Sequence, residues 1–408
     1  MKKNLILTTF LIVSLCCSFS TTRALAQDKL EAKLEKLLKR FPAADLNKDG
    51  TLSLEEAKTY RDQFFQKQAA GQQRAGGGGA RRNSTPDPRW EEKRFPEDAI
   101  CYRTPKEIAK AYGKEIPSHP KPTDGSLRIV GTGHSFMRPG YGTLPAIAQA
   151  AGFQKQALHT HIGGGVTGGT RYKWEQENGI FGFEKKGATP RLLAAISNAK
   201  WDVMTWGPYS QDRLEYYACW IDFCLKYNPE MKFYLSDAWP QISQLDTVPK
   251  NEEIFTPELF DRLGKERDEL FAGFLKEINS KYPDKVFIMP TNDAMVLAAK
   301  HYLAGKLPGI EGVNTSISGK KRSLWRDRLG HLGPGFERLE GYVFYATLYG
   351  RSPELIKEKV QFEGDPSFPS PQLDQVFRKI AWQAVINNPL SGVTDKNGDG
   401  LCDSGPKK

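Results

Sequence analysis

Apolar positions along the chain fall into two rhythms. Between residues 28 and 68, Leu30, Leu34, Leu37, Leu38 and Phe41 recur at helical spacing. A polar stretch over 45–56 follows, and Ala57, Tyr60 and Phe64 resume the helical pattern beyond it. Residues 69–95 lose all periodicity. Gly76 to Gly79 sit there among Gln, Arg, Asn, Ser and Pro, the composition of a flexible linker. From about 96 to 390, short apolar runs alternate with longer amphipathic ones. The runs at 127–130, 202–205, 232–235 and 286–289 predict buried strands. Helical patterns cover 191–199, 211–226, 257–280, 294–303, 336–349 and 373–386. Strand and helix in alternation predict an α/β domain, a mainly parallel sheet with helices on both faces. In such sheets ligands bind beyond the carboxyl ends of the strands, and Ser135 falls just past one such end. The tail over 391–408 carries a second short acidic loop, and no period of solenoid type is present.

The first residues change where this domain is expected to work. Residues 1–26 read as a secretory signal peptide: Lys2 and Lys3, a mostly apolar stretch over 5–18, then Ala24-Leu-Ala26. The apolar stretch is short for a membrane span. The expectation is therefore an exported protein, periplasmic, cell-surface or extracellular, with no stable membrane span after cleavage. Cys16 and Cys17 raise a lipoprotein reading, but Leu15 and Cys16 are not the small residues that usually precede a lipidated cysteine, so cleavage after Ala26 is preferred. Losing Lys2, Lys3 and Arg23 lowers the formal charge by three, from +10 to +7. The remaining basic excess is scattered, apart from a cluster at Arg74, Arg81 and Arg82, and no basic and aromatic stripe of the nucleic-acid kind appears. Four cysteines remain, Cys101, Cys219, Cys224 and Cys402. Export permits their oxidation, and the sequence leaves the three pairings open. A bridge between Cys219 and Cys224, five apart on a predicted helix, is awkward.

The polar stretch over 45–56 carries a specific chemistry. Asp45, Asn47 and Asp49 place side-chain oxygens at positions one, three and five of a twelve-residue loop. Gly50 supplies the turn at six, Thr51 its carbonyl at seven, Ser53 stands at nine, and Glu56 offers a bidentate carboxylate at twelve. A hard cation such as Ca2+ needs this crowd of oxygens. With its flanking helical patterns, the segment 27–68 resembles single EF-hand modules of exported bacterial proteins. The tail repeats the first half of the template. Asp395, Asn397, Asp399 and Asp403 are its candidate ligands, with the Leu401 carbonyl, while Pro406 stands where the closing glutamate belongs. That shortened loop resembles those of dockerin-like repeats, and an Asx-rich terminal turn accounts for it equally well.

Candidate catalytic residues lie in the α/β domain. An apolar run ends at Gly131-Thr-Gly133, and His134-Ser-Phe136 follows. Much later come Asp327 and His331, in Trp325-Arg-Asp-Arg-Leu-Gly-His-Leu332. A serine on a turn at a strand end, joined by a late Asp and His, is what a serine nucleophile requires. Over roughly 125–355 the chain resembles the SGNH hydrolases, the GDSL-like esterases and lipases. The resemblance implies a flavodoxin-like three-layer sandwich with Ser135 as nucleophile, His331 as general base and Asp327 orienting the imidazole. It also implies oxyanion donors: the N–H of Ser135 and a glycine of the run 163–170, with Gly165 and Gly169 as candidates. Three departures stand out. His134 replaces the usual Asn or Asp before the serine. The Asp-to-His spacing is one residue longer than usual. The segment 202–209 offers neither the Asn nor the Gln that supplies a third donor, although Tyr209 and Ser210 stand nearby. Losing such a donor costs about a hundred- to a thousandfold in rate. Trp206, Tyr209 and Trp239 follow predicted strand ends and are cleft candidates, whereas Trp201 reads as core. His159 and His161 read either as cleft or as surface residues.

Two functions remain open on these residues. One is a calcium-binding serine hydrolase cleaving carboxylic esters, with acylated carbohydrate as the suggested substrate. The other is a noncatalytic, calcium-dependent glycan- or surface-binding protein on a degenerate hydrolase scaffold.

Overall fold

The structure is a computed structural model and describes residues 34–35, 38, 44–53, 55–57, 59, 119–154, 157–162, 168, 171–172, 192–207, 212–245, 247–362 and 367–403. The expected signal peptide, the linker and Cys101 lie outside the described residues. The chain divides into two compact units, Met1–Arg82 with Ile242–Val248, and Asn83–Gln241 with Pro249–Lys408.

In the first unit Leu34, Ala44, Leu52 and Ala57 form a small buried cluster. Leu52, at position eight of the polar loop, anchors that loop to the helical residues around it.

The second unit is a five-stranded parallel sheet: β1 (Arg128–Gly133), β2 (Ala157–Ile162), β3 (Val203–Trp206), β4 (Lys232–Ser236) and β5 (Val286–Met289), in the order β2-β1-β3-β4-β5. β1 and β3 are buried along their whole length. The helices α1 (Arg138–Ala150), α2 (Leu192–Asn198), α3 (Leu214–Tyr227), α4 (Pro257–Lys281) and α5 (Thr291–Leu303) alternate with these strands. A second parallel pair, β6 (Gly312–Asn314) and β7 (Ser323–Trp325), encloses the one-turn α6 (Thr315–Ser318); α7 (Phe336–Tyr349) and α8 (Pro371–Asn387) follow. Val130, Met204, Trp206, Phe233 and Ile288 pack with α2, α3 and α4 in one core. The alternate side chain Thr205 faces α1, where its hydroxyl donates to Tyr141 Oη at 3.0 Å. On that face α1 packs against α7, and α7 against α8. The result is the three-layer α/β sandwich that the alternation predicts.

The element expectations hold for the four buried strands and the six helices, within a few residues at their ends. Arg191 and Gln211, the expected starts of α2 and α3, lie outside the described residues. Three corrections are needed. β2 was not expected, because its Ala157-Leu-His-Thr-His-Ile162 run is half polar, as suits an edge strand. α1 was masked by Pro139, Gly140, Gly142 and Pro145, residues that usually punctuate loops. β6 and β7, three residues each, are too short to produce a rhythm. Cys219 and Cys224 are free thiols buried in α3.

Strand order reverses at β1, with β2 on one side and β3 on the other. The crevice between the carboxyl ends of β1 and β3 is therefore the place where a doubly wound sheet binds ligands. Met137 is buried there, and a Cβ on Gly133 or Gly207 would lie 2.7 or 2.5 Å from its Cγ. Glycine at both strand ends thus lets Met137 seat the turn that carries Ser135.

α1 starts directly after that turn, and its first turn is anchored from α7. Glu340, buried, accepts a hydrogen bond from the Gly140 N–H at 2.8 Å. Burial pushes the Glu340 carboxyl well above the usual range, against the pull of the Gly140 bond and with Glu337 reinforcing the rise. An unfolded glutamate titrates near 4.3. As pH rises above that value, the unfolded chain releases a proton that the folded one retains, so this site lowers stability progressively toward neutral pH. Glu340→Gln is expected to remove the penalty, so its stability relative to the parent should grow as pH rises above about 4.3. Glu340→Ala leaves the Gly140 N–H unpaired and should cost about 1–3 kcal/mol. Urea unfolding at several pH values checks both.

Candidate functional site

Ser135 lies on a turn closed by the Met137 N–H donating to the His134 carbonyl at 3.0 Å. Its side chain is exposed at the end of β1. The Ser135 hydroxyl oxygen is 2.7 Å from His331 Nε2, although 196 residues separate the two in sequence. On the other side of the ring, His331 Nδ1 is 2.7 Å from Asp327 Oδ2. Structure thus brings together the three residues that the sequence pairs.

The three residues between Asp327 and His331 fold around the Asp327 carboxylate. Asp327 Oδ1 accepts from the N–H groups of Leu329, Gly330 and His331, at 3.0, 3.1 and 3.1 Å. The loop folds back over its own acid, leaving Oδ2 for the imidazole. Gly330 permits this by adopting φ 92°, a left-handed conformation that suits glycine. Below the loop tip the chain pairs with β7: Arg326 N–H donates to the His331 carbonyl at 2.9 Å, and Gly333 N–H to the Leu324 carbonyl at 2.7 Å.

Three further residues hold the hairpin. Asn314, buried at the end of β6, donates from Nδ2 to the Asp327 carbonyl at 3.0 Å and accepts the Ser316 N–H at 2.9 Å. Trp239 donates from its indole N–H to the Gly330 carbonyl at 2.6 Å. Phe136, next to Ser135, stacks on Trp239 at 4.9 Å between centroids and meets the His331 ring edge-on at 5.1 Å. The nucleophile turn and the base loop therefore share one aromatic brace. Trp239 follows a turn fixed by the buried Asp237, which accepts from Thr291 Oγ1 at 3.0 Å and from the Asn292 N–H at 2.8 Å. Asn314 carried no signal in the sequence.

Trp206 and Trp239 are corrected as cleft residues. Both are about 1% exposed, Trp206 stacked on Tyr217 in the core, so neither offers a face to a ligand. Trp201 is core as expected, its indole N–H bonded to the Ala195 carbonyl. His161 is buried in β2 opposite Thr132 and is not a surface residue, whereas His159 is half-buried on the same strand.

Of the oxyanion candidates, Gly165, Gly169, Tyr209 and Ser210 lie outside the described residues. Gly168, within the same run, is held by both of its backbone groups: its N–H donates to Asp212 Oδ1 at 2.7 Å, and its carbonyl accepts from the Trp220 indole at 2.9 Å. Arg171, fully buried, donates from Nη2 to the Gly207 carbonyl at 3.3 Å. The Gly207 N–H donates to the Thr132 carbonyl at 3.1 Å, so it continues the sheet and does not face a ligand.

Both polar loops adopt one hydrogen-bond pattern. Asp45 and Asp395 each accept from the N–H groups four and five residues on, and Asn47 and Asn397 from the N–H two residues on. In the first loop Glu56 closes the ring, accepting from the N–H groups of Asn47 and Ser53. In the second, Asp403 closes it by accepting from Lys396. Gly50 and Gly400 take φ 83° and 79° at the sharp turn. Asp45, Asn47, Asp49, the Thr51 carbonyl and Glu56 suit a hard cation in donor type. As the side chains stand, no group of three or more His, Cys, Asp or Glu among the described residues is arranged to hold a metal. Among the described residues no helix is long and apolar enough to cross a membrane.

No family model matches the chain, and no curated protein does. Among solved structures it is similar to a DUF4886 family protein from Bacteroides uniformis, at 13% identity and a TM-score of 0.43, over 64% of this chain and 95% of that one.

Proposed function

We propose that this protein is an exported, SGNH-like serine hydrolase that cleaves carboxylic esters through an acyl-enzyme. One observation carries the reading: a serine hydroxyl at a strand-end switch point, 2.7 Å from an imidazole whose far nitrogen is 2.7 Å from a carboxylate.

The chemistry follows from that order. His331 Nε2 takes the proton as Ser135 Oγ forms a bond to the ester carbonyl carbon. Asp327 holds the Nδ1–H tautomer and stabilises the imidazolium. The tetrahedral intermediate collapses with cleavage of the carbon–oxygen bond, and His331 returns the proton to the departing alcohol. Water, deprotonated by the same imidazole, then releases the acid. Oxyanion stabilisation falls to the Ser135 N–H and to Gly165 or Gly169.

A fluorophosphonate tests this: in folded wild-type protein its adduct should map by mass spectrometry to Ser135. Labelling elsewhere, or none, would remove the hydrolase and leave calcium-dependent glycan or surface binding. That second reading is favoured by the commitment of the Gly207 N–H to the sheet and by the lack of an amide side chain at 202–209.

Calcium is proposed at Asp45, Asn47, Asp49, Thr51 and Glu56, and at Asp395, Asn397, Asp399 and Asp403. Glu56→Gln should weaken calcium binding about tenfold or more by titration calorimetry, because it removes a charged bidentate ligand. The Trp382 indole donates to Asp395 Oδ2 at 3.1 Å. Terbium at the tail loop should therefore luminesce on tryptophan excitation, and Trp382→Phe should remove that signal.

A further inference from the structure

The segment leading into the triad carries more charge than the proposed reaction uses. Lys320-Lys-Arg-Ser-Leu-Trp-Arg-Asp-Arg328 holds five cations and one acid. Two of the cations are occupied elsewhere. Lys320 Nζ is 4.0 Å from Glu252, and the Arg322 guanidinium lies over the Phe368 ring at 4.6 Å. Arg326 and Arg328 remain exposed on either side of Asp327.

Arg326 is placed by backbone pairing with His331, and its side chain is 62% exposed. Its Nε stands 3.8 Å from Asp327 Oδ2, the oxygen that also meets the imidazole. Arg328 lies within the loop whose next three N–H groups are gathered by Asp327. Arg138, also exposed, opens α1 three residues after Ser135. Neither Arg138 nor Arg328 has an acidic partner among the described residues. Asp327, the acid between the two arginines, is already spent on three backbone N–H groups and His331. The loop tip, Leu329, is 63% exposed and adds apolar surface beside this charge.

Three exposed arginines close in sequence to Ser135 and Asp327, against one committed carboxylate, give this region an excess of positive charge. Such an excess raises the local concentration of anions and disfavours cationic substrates. We propose that the substrate is an anionic ester, one whose non-reacting part carries carboxylate or sulfate groups that Arg138, Arg326 and Arg328 engage, as an acylated acidic polysaccharide would. This rests on the hydrolase reading above, and its test separates the two.

Binding is measured on full-length Ser135→Ala, which cannot turn substrate over. Fluorescently labelled oligogalacturonate should bind and a neutral dextran oligomer should not. Binding should weaken about tenfold or more as sodium chloride rises from about 0.05 to about 0.5 M. In the Ser135→Ala background, Arg138→Gln with Arg328→Gln should weaken oligogalacturonate binding about tenfold, Arg328→Glu should weaken it further, and Arg328→Lys should largely preserve it. With Ser135 present, the ratio of kcat/KM for an acetylated anionic oligosaccharide over p-nitrophenyl acetate should fall about tenfold in the double Gln variant. Equal binding of both oligomers, or a ratio unchanged in that variant, overturns the inference. Turnover of p-nitrophenyl acetate with no anionic preference sinks this inference and leaves the hydrolase standing. Salt-sensitive anion binding without any Ser135-dependent turnover supports the arginine site and removes the hydrolase.

Discussion

Neither Ser135→Ala nor His331→Ala is expected to retain useful reactivity toward a fluorophosphonate. The first removes the nucleophile outright. The second leaves a hydroxyl that is almost entirely protonated at neutral pH and has lost its proton acceptor, so labelling should slow about a hundred- to ten-thousandfold. The other ring beside Ser135 does not replace it: His134 Nδ1 receives the Phe136 N–H at 3.3 Å, and the ring lies edge-on to Phe136. Asp327→Asn should approach the same loss by a different route. The amide oxygen can still accept from the loop N–H groups, but the amide nitrogen would then face His331 Nδ1 as a donor. That forces the imidazole into the tautomer whose Nε2 carries a hydrogen and cannot take the Ser135 proton. Stopped-flow labelling of the parent and the three variants, each with unchanged circular dichroism, checks this. Parent-like rates in His331→Ala would break the link between the 2.7 Å contact and reactivity.

How much of this was legible in the sequence depends on whether a feature is local. β1, β3, β4 and β5 announce themselves because nearly all of their residues are buried, so that each reads as an apolar run. β2, at the sheet edge, alternates Leu158, His159, Thr160 and His161 and gives no such signal. α1 hides in part because Gly140 serves close packing against α7, as Gly341 of α7 does in return. A Cβ on Gly140 would meet the Phe344 ring at 2.6 Å, and one on Gly341 would meet Thr143 Oγ1 at 2.1 Å. Glycines selected for close helix contact look, in sequence, like glycines selected for turns. The grouping of Ser135, Asp327 and His331 was legible because a serine after a strand end and a late Asp and His are the residue types a serine nucleophile requires. The extra residue at the Asp-to-His step was readable as a departure, but the loop folded around the Asp327 carboxylate was not. Trp239 shows the opposite failure. Its place after a strand suggested a ligand platform, whereas the same place puts it under Phe136 and Gly330 as a brace. Position along a strand fixes proximity to the site; only packing decides whether a side chain faces the ligand or supports the groups that do.

Among the described glycines, Gly333 is the one where an added methyl is expected to destabilise most. The Cβ would fall 1.7 Å from the Ser323 carbonyl oxygen and 2.8 Å from its carbon, both backbone atoms of β7 that no rotamer change can move aside. Relief requires separating the 331–333 segment from β7, which breaks the Gly333 to Leu324 and Arg326 to His331 hydrogen bonds together. Overpacking of this kind, compounded by lost backbone pairing, should cost about 3 kcal/mol or more. Thermal unfolding should register it as a fall of roughly 6 °C or more. Because the displaced segment is the one that presents His331, fluorophosphonate labelling should drop even well below the unfolding temperature. Gly142→Ala supplies the contrast within the same domain. That glycine lies in α1 with open space around its missing Cβ and no left-handed backbone, so alanine should stabilise by about 0.5–1 kcal/mol and leave labelling intact. Opposite signs from the same added methyl would locate the constraint in the β7 hairpin, and equal tolerance at both positions would show that the hairpin does not hold His331 where the serine needs it.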